Sequence, residues 1–116
     1  MPLDTVRLLQ REATRLMVEV MGKREAVTAV AVEQVPAEHW AIGGQAISQP
    51  TAFVDVKISR GTNTEAQKAA LLSALQRLLL QALGDLAEAS YVVIHEVPTT
   101  DWGYAGRSQA DRSGAG

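Results

Sequence analysis

The stretch Ile94 to Arg107, IHEVPTTDWGYAGR, has a degraded earlier copy from Val32 to Gln45, VEQVPAEHWAIGGQ, displaced by 62 positions. In this register Val35 lies on Val97, Pro36 on Pro98, Trp40 on Trp102 and Gly44 on Gly106, with no gap between them. The match extends backwards, placing Gly22 on Gly84, Met21 on Leu83, Met17 on Leu79, Leu16 on Leu78 and Leu9 on Leu71. A fixed period signals a duplicated supersecondary unit and has to be found before any element is assigned. The chain is a tandem repeat with one plan in both halves.

Outward from the motif, Val6, Leu9, Ala13, Leu16, Met17 and Val20 recur at steps of three and four, with Arg7, Gln10, Arg11, Thr14 and Glu19 opposite. That spacing predicts an amphipathic helix, ended by Gly22. Val27 to Val35 is β-branched and alternating and predicts a strand stopped by Pro36, with Val30 and Val32 on the face beneath the helices. Phe53 to Ser59 predicts another, with Val54, Val56 and Ile58 on one face and Phe53, Asp55 and Lys57 on the other. Thr64 and Gln67 have capping-box spacing at the head of a helix whose stripe is Leu71, Leu75, Leu78, Leu79 and Ala82. Gly84 ends it, and Ala89 to Val97 reads as a third strand.

These elements give an α/β fold in which two helices cover one face of a small β-sheet. The second half reads strand, helix, strand, turn motif, whereas the first reads only helix, strand, turn motif. The counterpart of Phe53–Ser59 falls before residue 1, so either a longer natural chain or a lost first strand is expected. One domain is expected over residues 1–110, with repeat halves of about 1–46 and 51–108 and a flexible polar tail at 111–116. The opposite sheet face, with Ala29, Ala31, Glu33, Phe53, Asp55, Lys57, Tyr91, Val93 and His95, is too aromatic for open water and too polar for a monomer core. It predicts a closed cyclic homo-oligomer, a trimer above all.

Eleven basic and thirteen acidic residues, without a basic run, argue against nucleic acid as a partner. The absence of cysteine removes disulfide and thiol chemistry, and with only two histidines a structural metal site is not expected. No apolar run of membrane-spanning length and no secretory leader is visible, so the expected address is the cytoplasm and no membrane partner is expected.

Both tryptophans, Trp40 and Trp102, occupy one repeat position before glycine-bearing turns, and each reads as a core plug, a subunit contact or a pocket wall. Arg107 follows Gly106 in a turn, where a guanidinium can clamp a carboxylate bidentately or remain solvated. His95 and His39 read as structural or solvated histidines rather than as bases. Pro2 carries two readings. Loss of Met1 would expose a secondary amine able to act as a base, but proline also suits the start of a helix, and the repeat aligns Pro2 with Thr64.

The sequence VDVKI, a Gly turn, Glu-Ala-Gln-Lys opening a helix and VVIHEVPTTDWGYAGR resembles the tautomerase superfamily over essentially the whole chain. It is similar in particular to the double-length, fused members related to 4-oxalocrotonate tautomerase. The resemblance implies trimers, an amino-terminal proline as base or acid, arginines holding a carboxylate substrate and an aromatic pocket wall, with no cofactor. By position, Trp40 and Trp102 match that aromatic, Arg107 matches an arginine after the closing turn, and Pro2 is the candidate for the proline. Thr62 stands where the family often has a substrate arginine, for which Arg60 is the substitute. Pro50 is internal and its nitrogen is an amide. Ala105 stands where a dehalogenating member has a tyrosine, so tautomerisation of a small 2-oxo or 2-hydroxydienoate acid is the implied chemistry. The alternative is a non-catalytic, structural or ligand-binding member that lost the proline strand.

Overall fold

In the computed structural model, which describes residues 1 to 114, helix α1 (Leu3–Glu19) starts directly after Pro2. Pro2 has no amide hydrogen to leave unpaired, and its carbonyl accepts from the amides of Thr5 at 3.1 Å and Val6 at 3.2 Å. Helix α2 (Glu65–Leu83) starts at the matching repeat position. There the Thr64 hydroxyl accepts from the Gln67 amide at 3.1 Å, and Gln67 Oε1 accepts from the Thr64 amide at 2.9 Å. The chain leaves the helices through Gly22 (φ +70°) and Gly84 (φ +87°), conformations that suit glycine.

Strands β3 (Phe53–Ser59) and β4 (Tyr91–Val97) pair in parallel, with Phe53 beside Tyr91 and Ser59 beside Val97. A parallel pair needs a long crossover, and α2 supplies it. Two short antiparallel hairpins complete the fold: β1 (Ala41–Ile42) with β2 (Gln45–Ala46), and β5 (Gly103–Tyr104) with β6 (Arg107–Ser108). A last helix, α3, runs over Gln109–Gly114.

The two long helices are antiparallel. The turn after α1 meets the turn before α2, where Asn63 Nδ2 donates to the Met21 carbonyl at 2.9 Å. Leu16, Met21, Leu71, Ala74, Leu75, Leu78 and Ile58 form the core, with Leu9, Ala13, Met17, Val20, Val54, Val56, Val92 and Ile94 packed around them. The helical stripes and the even-numbered face of the sheet therefore bury each other, as the two periodicities require. On the other face Phe53 and Tyr91 are each 60% exposed, with ring centroids 6.5 Å apart.

The repeat holds at the level of single hydrogen bonds. His39 donates its amide to the Pro36 carbonyl and Ile47 donates to Trp40 in the first half. Asp101 donates to Pro98 and Gln109 to Trp102 in the second. Each hairpin turns through two positive-φ residues, Gly43 and Gly44 in one and Ala105 and Gly106 in the other.

One expectation is corrected. The strand over Val27–Val35 does not form: Glu25–Val27 makes one turn of 3-10 helix, and the residues after it join no sheet. Its repeat mate β4 is held by β3, and no described strand occupies the corresponding lane beside residues 29–35. Without a ladder, Val35 is 49% exposed, and Val30 and Val32, expected beneath the helices, stay outside the core. From Gln109 the chain forms α3, which docks on the second hairpin. The Asp111 amide donates to Ser108 Oγ at 3.0 Å, and the Arg112 guanidinium lies 3.7 Å from the Tyr104 ring centroid. Residues 115 and 116 of the tail expected at 111–116 lie outside the described residues.

Candidate functional site

Ser59, the last residue of β3, points to the sheet face away from the helices and accepts a hydrogen bond from Trp102 Nε1 at 3.1 Å. Arg60 follows immediately. Its amide donates to the Val97 carbonyl at 2.9 Å, which fixes the backbone and leaves the side chain exposed. Trp102 and Arg60 are thus brought to one corner of the sheet. Arg107 stands opposite Tyr104 in the hairpin that Trp102 leads into. Its Nε donates to Asp111 Oδ2 at 2.8 Å in an exposed pair, a weak restraint that a better acceptor can displace. Gly103 sets how closely this hairpin closes, since a Cβ there would collide with the Arg107 carbonyl.

The same corner holds residues that the sequence reading did not single out. Lys23 Nζ donates to Thr62 Oγ1 at 2.8 Å, and that hydroxyl donates to the Ser59 carbonyl at 2.7 Å, which links Lys23 to the residue that anchors Trp102. Burial holds the Lys23 pKa below the ordinary lysine value, with Glu96 acting in the opposite direction. Glu96 also accepts from Lys68 Nζ at 3.3 Å. Arg24 Nη1 donates to the Tyr104 hydroxyl at 3.4 Å, and Arg112 Nη2 donates to the Tyr104 carbonyl at 3.0 Å. Arg112 Nε is buried without a hydrogen-bond partner among the described residues. The signal that could have found this set is in the repeat: the first half contributes Lys23 to the turn after β3 and Arg24 to the second half's hairpin, and their repeat mates carry no positive charge.

Trp40 and Pro2 are not in this corner. The Trp40 hairpin borders a groove of about 240 Å³ that is also lined by Thr51 and Ala87, at the start of β3. The length of β3 separates it from Ser59, roughly 20 Å at the usual rise per residue. Pro2 opens α1, whereas Lys23 follows its far end. The 17 residues of α1 put roughly 25 Å between them at 1.5 Å per residue. With Met1 attached, the Pro2 nitrogen is an amide.

The family model described as Tautomerase enzyme matches residues 6–49 and 53–112. The chain is similar to Probable tautomerase K2 of Dickeya dadantii (strain 3937), with 35% identity over 60 residues, 52% of this chain and 90% of that protein. Among solved structures it is similar to Q0 fused 4-OT, a wild-type symmetric trimer, with TM-score 0.84 and 25% identity over 93% of this chain and 87% of that one. Pt0534 inactivated by 2-oxo-3-pentynoate gives TM-score 0.84 and 24% identity over 94% of this chain and 88% of that chain. Among the described residues, no helix is long and apolar enough to cross a membrane.

Proposed function

Because the chain belongs to the tautomerase family, whose model covers most of its length, we propose that it moves a proton in the keto-enol interconversion of a small 2-oxo or 2-hydroxydienoate acid. The observation that supports this beyond family membership is the corner in which Trp102 and Arg60 meet the Arg107 hairpin. A guanidinium that grips the carboxylate fixes the substrate and sits where negative charge grows on the neighbouring oxygen as the carbon-bound proton leaves. Trp102 supplies an apolar wall that excludes water from one side and strengthens that attraction. Arg60 and Arg107 are the carboxylate-binding groups in this reading.

Spectrophotometric ketonisation of phenylenolpyruvate tests it. Arg60→Ala and Arg107→Ala should each lower kcat/KM by about ten- to a hundredfold, the loss expected for one charged hydrogen bond. Values within about twofold of the parent for both variants would remove the arginines from the site.

A second reading is favoured by one specific observation, the place of Pro2 at the head of α1, the helix length away from Lys23. A member without a base in the Trp102 corner binds small carboxylates and does not turn them over. Turnover of phenylenolpyruvate by the parent chain separates the two, and its loss in Pro2→Ala would identify the Pro2 amine as the base.

The proposal includes a homotrimer, the assembly for which Q0 fused 4-OT is described. Phe53, Tyr91 and Val93 form an exposed apolar surface on the outer sheet face, beside the Asp55–Lys57 ion pair. Phe53→Asp puts a charge into that surface and should convert the trimer to monomer in sedimentation velocity. An unchanged sedimentation coefficient would move the interface elsewhere.

A further inference from the structure

The two ends of the sheet are equivalent by the repeat but not by chemistry. At the Trp102 corner Lys23, Arg24, Arg107 and Arg112 outnumber the carboxylates of Glu96 and Asp111; at the Trp40 corner the repeat mates of the four cations are Asp85, Leu86, Gln45 and Pro50. Not one cation is retained. The groove beside the Trp40 hairpin is lined by neutral side chains such as Gln45, Gln49 and Thr51. A duplicated unit starts with two like corners, so the difference marks which of them attracts negative charge.

We propose that the chain binds its small carboxylate ligand at the Trp102 corner alone, with Lys23 and Arg24, contributed by the first half, as anion-binding groups beside the second half's hairpin. This rests on the proposed tautomerase reading and deepens it by fixing one site per chain and adding two residues to it. Three features support the assignment. Lys23 is half-buried and donates to a neutral hydroxyl, Thr62 Oγ1, so its charge is partly desolvated and is not neutralised in a direct ion pair. Arg24 is exposed, and its contact is a long 3.4 Å bond to the Tyr104 hydroxyl, which costs little to exchange for a carboxylate. Arg112 leaves a buried Nε unpartnered under the same hairpin and adds to the positive field there.

The test is a titration of the ¹⁵N-labelled full chain with sodium malonate, ionic strength held constant with sodium chloride, read at the indole Nε1–H resonances of Trp102 and Trp40. Trp102 should shift saturably and Trp40 should not. Lys23→Met and Arg24→Gln should each weaken malonate about tenfold, and Lys23→Arg should hold affinity within about threefold. Arg7→Gln, which removes one positive charge from the exposed side of α1, should change it by less than about twofold. Equal movement of both indoles, no saturable binding, or Lys23→Met and Arg24→Gln no weaker than Arg7→Gln each overturns the proposal. An amide spectrum of each variant with the parent's dispersion establishes that it is folded. Malonate bound at Trp102 without turnover of an enol substrate removes the tautomerase reading and leaves this site. Unchanged malonate affinity with intact turnover removes the site and leaves the reading.

Discussion

Leu75→Ala should lower the free energy of unfolding by about 2 to 5 kcal/mol, as expected when a buried leucine is cut back to its β-carbon. Leu75 is 4% exposed and sits in the cluster with Leu71, Leu78, Leu16 and Ile58, where α2 meets both α1 and the sheet. Collapse around the lost methyls is limited, because the surrounding side chains come from three elements held by their own hydrogen bonds. Against a total of about 5 to 15 kcal/mol for a domain, the loss is a large share. Urea denaturation at fixed protomer concentration should show a lower midpoint at an unchanged slope. A loss below about 1 kcal/mol would take Leu75 out of the core, since surface truncations cost no more than that.

The helices were legible because each carries its own instructions: a stripe at 3.6 spacing, a capping box at Thr64 and Gln67, and Gly22 and Gly84 just beyond the ends. Strands β3 and β4 were legible by alternation, and the hairpins by their Gly-Gly and Ala-Gly turns. Residues 27–35 carry the same alternation and form no strand, because alternation specifies a face and not a partner. The candidate site was only partly legible. Trp102 and Arg107 stood out by motif and Arg60 through the family resemblance, and the structure brings Trp102, Arg60 and the Arg107 hairpin to one corner. Lys23, Arg24 and Arg112 lie far from the motif or beyond it in sequence, and reach it through the antiparallel pairing of the helices and the docking of α3. No local pattern encodes such contacts. Trp40 matched Trp102 by repeat and was grouped with it, yet a duplication places copies at opposite ends of the sheet.

Joining a strand ahead of Pro2 should raise enol-substrate turnover by about 10²- to 10⁴-fold, the usual contribution of a positioned acid-base group. The graft begins with proline once the initiator methionine is removed, continues with seven residues alternating like Phe53–Ser59, and ends in a connection like Arg60–Thr64. Its lane is set by β3 and β4, whose first residues, Phe53 and Tyr91, lie side by side. By the repeat, the first residue of the graft should lie beside Ala29, a few residues after Arg24, which reaches Tyr104. The graft's proline amine therefore arrives at the Trp102 corner, within reach of a substrate held there, whereas Pro2 stays at the far end of α1. Pairing should also convert residues 29–35 into a strand and protect their amides from hydrogen exchange. A graft opening with alanine should gain that protection without the turnover, which separates the base from the scaffold. If the ungrafted chain already turns over phenylenolpyruvate and Pro2→Ala alone abolishes it, Pro2 reaches the corner by another route and the lane beside residues 29–35 is assigned wrongly.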